Sequence, residues 1–478
     1  VRDALALSSF GSMSRAAAGD VTPTADGIRW GRVLAVAIGF WLVFYTIDHD
    51  AAAFAGMQVT DETEGDIADE YIDEIEGGSA LRKFVVIGYG FCGLLGLAYC
   101  DNRPWNLQST AAACFCLLLA WTLSSVLWSA EPALTFKRLV AAGMIVVGSL
   151  GFARMLNPNE LLAVALLTFS AFVSYSLMLD VGHGGKPWDP DYRFGGTLHP
   201  NIQAAYCGML CLAAFCLPTR WGGAWVMRCL MVFGFVLLLQ TQSRTSALAV
   251  IVGVLITLLV RLAPRARWGA AWGLIAMASL ATIVLATLGN GDRRALTEAA
   301  LLGRTDQAGS LTGRVPLWQE LVGFAAKRPL HGYGYESFWT ADNIDAVMKS
   351  QKWALQSAHN AYFEVVLQLG LVGLALAMAT LLLSFNLMQA AYERTHIAGY
   401  AFAYGVLGFA IANSLLESHF AKLKYPTVIA LIAVLGVIAF HPTEAETLDD
   451  ESLGGGQAAT DRRRVAAPHR AKGGRRVA

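Results

Sequence analysis

Leu161-Leu-Ala-Val-Ala-Leu-Leu-Thr-Phe-Ser-Ala-Phe-Val-Ser-Tyr-Ser-Leu-Met-Leu179 carries no charge and does not alternate apolar with polar residues. As a helix it is about 28 Å long at 1.5 Å per residue, close to the hydrocarbon thickness of a bilayer. Lipid offers no partner to the backbone, so only helices and closed barrels cross it, and a continuous apolar run of this length selects the helix. Eleven comparable runs flank it. They are Gly31 to Ile47, Phe84 to Cys100, Thr110 to Trp128, Leu139 to Met155, Asn201 to Leu217, Ala224 to Gln240, Thr245 to Leu262, Trp268 to Leu288, Ala361 to Phe385, Ala398 to Leu416 and Tyr425 to Phe440. The expected fold is an all-α polytopic membrane protein of about 12 transmembrane helices with a large, partly helical periplasmic loop.

Composition agrees. Of 478 residues, 55% are hydrophobic and only 15% charged, and the mean hydropathy is +0.47, which is too apolar for one soluble core. Formal net charge is zero, so no nucleic-acid partner is implied. All eight cysteines lie in or beside apolar runs and read as small buried hydrophobes. No paired C-x-x-C spacing points to a metal, and no glycine loop to a nucleotide; Gly332 and Gly334 are too sparse to cradle phosphate. No cofactor or metal is expected.

Basic residues in short loops set the orientation. With Arg2, Arg15, Arg29 and Arg32 inside, alternation also puts Arg103, Arg154, Arg220, Arg228, Arg261, Arg265, Arg267 and Arg394 inside. Arg82, Lys83, Lys137, Arg138, Lys422 and Lys424 run against the rule. The chain then divides into a cytoplasmic segment 1–30, helices 1–9 over 31–289 with an acidic outer loop 48–83, a periplasmic loop 290–360, helices 10–12 over 361–440, and a basic cytoplasmic tail 441–478. The tail, rich in Gly, Ala and Arg, reads as disordered and attracted to anionic lipid. The acidic loop reads as a solvated face, and Ala51 to Ala53 after the first run admit a cleaved leader.

The loop 290–360 is long enough to build a site. Pro316 opens a helix placing Leu317, Trp318, Leu321, Phe324 and Ala325 on one face, as in a segment lying on the membrane surface, and Pro329 ends it. Trp318, Phe338 and Trp339 read as interface anchors more readily than as sugar platforms.

Three stretches of this region carry a pattern: Thr312-Gly-Arg-Val-Pro-Leu-Trp318, Arg328-Pro-Leu-His-Gly-Tyr-Gly334, and Ser357-Ala-His-Asn-Ala-Tyr-Phe-Glu364 running into Leu369-Gly-Leu-Val-Gly373. Upstream stand Arg193-Phe-Gly-Gly-Thr-Leu-His-Pro-Asn201 and Thr241-Gln-Ser-Arg-Thr-Ser246. In this order they resemble the O-antigen ligase and O-antigen or exopolysaccharide polymerase superfamily, over the middle and C-terminal half of the chain.

The resemblance implies transfer of a glycan from undecaprenyl diphosphate to a saccharide hydroxyl at the periplasmic face of a bacterial inner membrane. The enzyme would be a metal-independent inverting glycosyltransferase working beside other polysaccharide-assembly proteins. It implies His359 as general base or acceptor activator, since imidazole titrates near neutrality, and Arg244 and Arg314 as donor diphosphate ligands, since guanidinium is a permanent bidentate cation. Arg244 would sit at a helix N-terminus, itself an anion site. Arg193, Asn201, Asn360, Glu364 and Glu417 are candidates for substrate binding or support. Each has a plainer role: Arg193 ordering its loop, Asn360 capping a helix, an arginine snorkelling to headgroups. His419 is a further candidate beside Glu417. The segments Gly332 to Trp339 and Ser357 to Glu364 lean toward the polymerase branch over a ligase acting on lipid A-core. A lipid-linked saccharide transporter would instead gather polar residues at the midplane on paired broken helices, a pattern this sequence does not display.

Overall fold

The computed structural model describes residues 28–49, 80–100, 103–189, 192–218, 223–262, 314–340, 342–344, 346–347, 357–421 and 424–440. The run Trp268 to Leu288, the acidic loop, the leader site and the basic tail lie outside these residues. Twelve α-helices are described: α1 Trp30–His49, α2 Ala80–Tyr99, α3 Thr110–Ser124, α4 Pro132–Met155, α5 Pro158–Gly182, α6 Pro200–Cys216, α7 Gly223–Gln240, α8 Arg244–Arg261, α9 Arg314–Lys327, α10 Ala361–Thr395, α11 Ala398–Asn413 and α12 Tyr425–Phe440. No strand occurs among the described residues. Eleven of these helices fall on eleven of the twelve apolar runs. Seven of them are long and apolar enough to cross a membrane, and α6, α7, α11 and α12 are shorter apolar helices.

Local chemistry starts the helices where they start. Asn157 accepts from Glu160 N at 2.8 Å while Glu160 Oε2 accepts from Asn157 N at 3.0 Å, a capping box with Pro158 as first helical residue. Ser109 caps α3 through Ala112 N, and Asn360 caps α10 through Phe363 N at 2.9 Å. Where α2 crosses α4, a Cβ on Gly93 would lie 2.4 Å from the Gly148 Cα, so only glycine lets these backbones meet.

Three of the four short helices, α6, α11 and α12, occupy the middle, and α7 lies at the periphery with Trp225 and Val232 exposed. Residues all round α6, α11 and α12 are buried, as expected of helices apolar on every side. Peripheral faces carry exposed Leu34, Ile38, Phe91, Leu117, Leu248 and Ile251, the side presented to lipid. Cys207, Cys211 and Cys216 are buried as expected, but Cys92, Cys116 and Cys229 are exposed on these outer faces, where lipid makes burial in protein unnecessary.

Connections sort to two ends of the bundle. At one end Arg29 pairs with Glu160 at 3.1 Å, Arg103 donates to Ala153 O and Phe440 O at 3.0 and 2.7 Å, and Gly399 N donates to Asn159 Oδ1 at 3.0 Å. At the other end lie the connecting residues 125–131, 183–189, 192–199, 241–243 and 414–421, with α9 and the start of α10. Sides therefore alternate from α1 to α8 and again from α10 to α12, while α8 and α10 both start at this second end, on either side of residues outside the described set.

Helix α10 is broken at Gly370, with φ +69° and ψ −172°. The break frees the carbonyls of Leu367 and Gln368 and the amides of Leu371 and Val372, which would otherwise pair within the helix. Residues 329–334 take all four. Tyr333 N and Gly334 N donate to Leu367 O and Gln368 O at 2.8 and 2.9 Å, and Leu371 N and Val372 N donate to Pro329 O and Leu330 O at 2.8 and 3.3 Å. A Cβ on Gly370 would lie 2.2 Å from the Leu330 carbonyl, and one on Gly332 2.6 Å from that of Gln368. The same loop is stitched to the α3–α4 connection and to α4 itself: Tyr335 N donates to Ser125 Oγ at 3.0 Å, Ser129 Oγ to Ser337 Oγ at 2.8 Å, and Arg138 of α4 to Glu336 O. Helix α9 begins at Arg314, two residues before Pro316. It does not lie bare on a membrane surface, because Leu317 and Leu321 are buried in a small second core with Tyr333, Phe338, Val347, Ala358 and Leu367. Phe338 is therefore a core residue and not an interface anchor.

Candidate functional site

Glu417 lies on the turn between α11 and α12 and collects partners from three other parts of the chain. Its Oε1 accepts from Arg314 Nη2 at 2.7 Å and from Asn201 Nδ2 at 2.9 Å. Its Oε2 faces His359 Nδ1 at 3.9 Å, too long for a hydrogen bond but close enough for ionic attraction. A second guanidinium N–H of Arg314 donates to Leu416 O. Arg193 donates to Asn201 Oδ1 at 3.2 Å and to Thr241 O at 3.1 Å, so it joins the start of α6 to the turn before α8. His359, Arg314, Glu417, Asn201 and Arg193 thus form one connected group.

Arg244 begins α8 at this same end. Its helix is tied to the group two residues on, where Ser246 Oγ accepts from Asn413 Nδ2 at 3.1 Å, and Asn413 O accepts from Glu417 N at 3.0 Å. Gln242, in the preceding turn, has φ +56°. The amides of the first turn of α8 point out of this end with the positive pole of the helix dipole.

His359 itself has φ +49°, a left-handed conformation that an ordinary residue adopts at a cost on the order of 1–3 kcal/mol. Its side chain is 28% exposed, against 3% for Glu417, so the imidazole is the member of the pair open to a substrate. Asn360 caps α10 and donates from Nδ2 to Leu415 O at 2.9 Å, holding the α11–α12 turn and not His359. Glu364 is buried, and its oxygens accept from Ala358 N at 2.6 Å and from the Trp339 indole at 3.1 Å. The side chain of His419 lies outside the described residues.

His199 is no candidate from the sequence beyond its place in a motif, yet it belongs to the group. It caps α6, accepting at Nδ1 from Asn201 N at 3.3 Å. Burial first, then the Arg193 charge, push its pKa below the ordinary value; Glu417 pulls it up, while His359 and Arg314 push it further down. The His-Pro-Asn order ahead of an apolar run is the sequence signal for this cap. Nothing in the sequence places its ring beside Glu417. Among the described residues no group of three metal-ligating side chains converges.

Such a group can hold an anion against fixed guanidinium groups while an exposed imidazole, backed by a buried carboxylate, takes a proton beside it. Comparisons with known proteins fit the motif pattern. Residues 229–378 match the O-antigen ligase family, and Arg244, Arg314, His359, Asn360 and Glu364 fall within that stretch; Arg193, Asn201 and Glu417 lie outside it. The chain is 26% identical over 301 residues to the Exopolysaccharide production protein ExoQ of Rhizobium meliloti (strain 1021), covering 59% of this chain and 64% of that protein. It thus spans just under two thirds of that relative's length. A chain from a solved structure described as "Structural coordination of polymerization and crosslinking by a peptidoglycan synthase complex" is 16% identical with a TM-score of 0.36, over 69% of this chain and 95% of that one. The resemblance to the O-antigen ligase and polymerase superfamily is borne out.

Proposed function

We propose, taking as premise a multi-pass membrane chain with an O-antigen ligase segment over 229–378, that this protein transfers a glycan from undecaprenyl diphosphate to a saccharide hydroxyl at the periplasmic face of a bacterial inner membrane. The single observation that carries this reading is the Glu417-centred group joining Arg314 and His359 at one end of the bundle. Both termini are then cytoplasmic.

His359 accepts the proton of the acceptor hydroxyl as its oxygen bonds to the anomeric carbon. The bond from that carbon to the diphosphate oxygen breaks, and its electron pair leaves on the diphosphate. The proton passes from His359 to solvent. One in-line displacement inverts the anomeric centre with no glycosyl-enzyme intermediate. Undecaprenyl diphosphate needs its developing charge stabilised more than it needs a proton, and Arg314 with Arg244 at a helix N-terminus supply that charge. Glu417 keeps Arg314 and His359 in register.

The lean is to polymerisation of exopolysaccharide or O-antigen repeat units, supported by the likeness to ExoQ. Ligation to lipid A-core is the second reading, favoured by the description of the matching family. Mass spectrometry of lipid-linked and released glycans from cells with and without the gene separates them: long chains on undecaprenyl diphosphate for a polymerase, glycan on lipid A-core for a ligase. Loss of mature glycan with the lipid-linked precursor trapped on the cytoplasmic side in cells without the gene would overturn both and indicate a transporter. Arginine being the proposed counter-ion, turnover of the purified protein should persist in excess EDTA; loss restored by a divalent ion would refute metal independence.

A further inference from the structure

Ala358, the residue before His359, has both its backbone polar groups engaged by side chains. Its N–H donates to Glu364 Oε1 at 2.6 Å, and its carbonyl accepts from the Trp318 indole N–H at 2.8 Å. Neither side chain is loose. The Glu364 carboxylate is buried and also takes the Trp339 indole N–H, at 3.3 and 3.1 Å to its two oxygens, and Gln368 Nε2 at 3.4 Å. The Trp318 ring lies parallel to Phe363, 6.2 Å between centroids and 12° between planes. The next residue holds the left-handed backbone noted above. A conformation of that kind persists only where its surroundings over-determine it, and here the peptide entering it is gripped from α9 on one side and α10 on the other.

We infer that Glu364 and Trp318 are positioning residues for the transfer reaction, locking the peptide ahead of His359 so that the imidazole stands against Glu417. The inference rests on the reading of His359 as the base. Its competitor is a stabilising role alone: an acid in the first turn of α10 favours the helix through the dipole, and Trp318 packs the second core. The two differ in what they do to the chemical step. Displacing a catalytic group by about 1 Å can cost on the order of 100-fold in rate, whereas a purely stabilising contact changes how much protein is folded and leaves the turnover of each folded molecule alone.

The variants are Glu364→Ala, Glu364→Gln and Trp318→Phe, which removes the indole N–H and keeps an aromatic ring. Each is purified in detergent and supplied with lipid-linked saccharides extracted from a host strain lacking the gene. Release of undecaprenyl diphosphate is read by mass spectrometry and normalised to monodisperse protein. For Trp318→Phe and Glu364→Ala, kcat should fall about 10- to 100-fold with the donor KM within about 3-fold. Glu364→Gln, whose side-chain carbonyl can still accept the Ala358 N–H, should recover most of that loss. Unaltered kcat per folded molecule in Trp318→Phe and Glu364→Ala, or a rise in KM alone, overturns the inference whatever happens to thermal stability. Should Glu364→Ala fail to fold, Trp318→Phe decides. His359→Ala run alongside separates the failures: normal turnover there removes the base itself, while slow turnover there with normal rates in the other variants removes only the positioning role.

Discussion

Arg314 presents two guanidinium N–H groups at once, one to Glu417 and one to the Leu416 carbonyl, and lysine cannot copy that fork. Arg314→Lys should therefore keep the charge and still lose about 10-fold or more in kcat/KM for the donor, measured on detergent-purified protein. His359→Ala should lower turnover by roughly 100- to 10,000-fold, the span of general base catalysis, with the protein still monodisperse. His199 offers a test by pH. Its folded pKa lies below the ordinary value, so the unfolded chain binds more protons as pH falls through the imidazole range, and stability drops in that direction. His199→Asn preserves an N-cap and removes the titration; its thermal midpoint should fall less between pH 7 and pH 5 than that of the unaltered chain. The types of these residues were legible in the motifs. Their partners were not, because Asn201, Arg314, His359 and Glu417 come from four separated stretches, and charge and spacing along a chain do not encode which side chains the packing brings together.

Among the elements, the apolar runs forecast eleven helices, since continuous hydrophobicity is set by the solvent the helix must meet, but α4 starts seven residues before its run and α10 ends ten residues after its own, in polar turns that hydropathy does not count. The break in α10 is not legible in the same way. Gly370 sits inside an unbroken apolar run, and hydropathy is blind to a glycine whose role is backbone geometry. Its φ of +69°, and the 2.2 Å that would separate an added Cβ from the Leu330 carbonyl, leave no room for a side chain. Gly370→Ala should lower the thermal midpoint in detergent sharply and loosen the 329–334 segment to limited proteolysis; a midpoint within a degree or two of the parent would show that the break is not held as described. Helix α9 reads as a surface segment in sequence because its apolar stripe has no visible partner there. Tyr333, Phe338 and Ala358, distant in sequence, supply that partner.

For the whole molecule, the alternation of connections makes a prediction about sidedness. In a variant free of native cysteines, Lys327→Cys at the end of α9 should react with a membrane-impermeant maleimide in intact spheroplasts, and Arg394→Cys at the end of α10 only after permeabilisation. The reverse pattern would put the Glu417 group in the cytoplasm and remove the proposed reaction. The central position of α6, α11 and α12 could not be read from hydropathy, which tells that a helix is apolar but not whether lipid or protein covers it.

The four amide–carbonyl bonds that rivet residues 329–334 into the gap of α10 also decide which part of this end of the bundle can yield. Peeling that segment away would strand both partners of every one of those bonds in a poorly hydrated setting, at about 1–3 kcal/mol for each group left unmet. Under the proposed transfer, passage of substrate and product is expected to be accommodated on the side where Arg193, Asn201 and Arg314 meet their neighbours through side-chain hydrogen bonds instead.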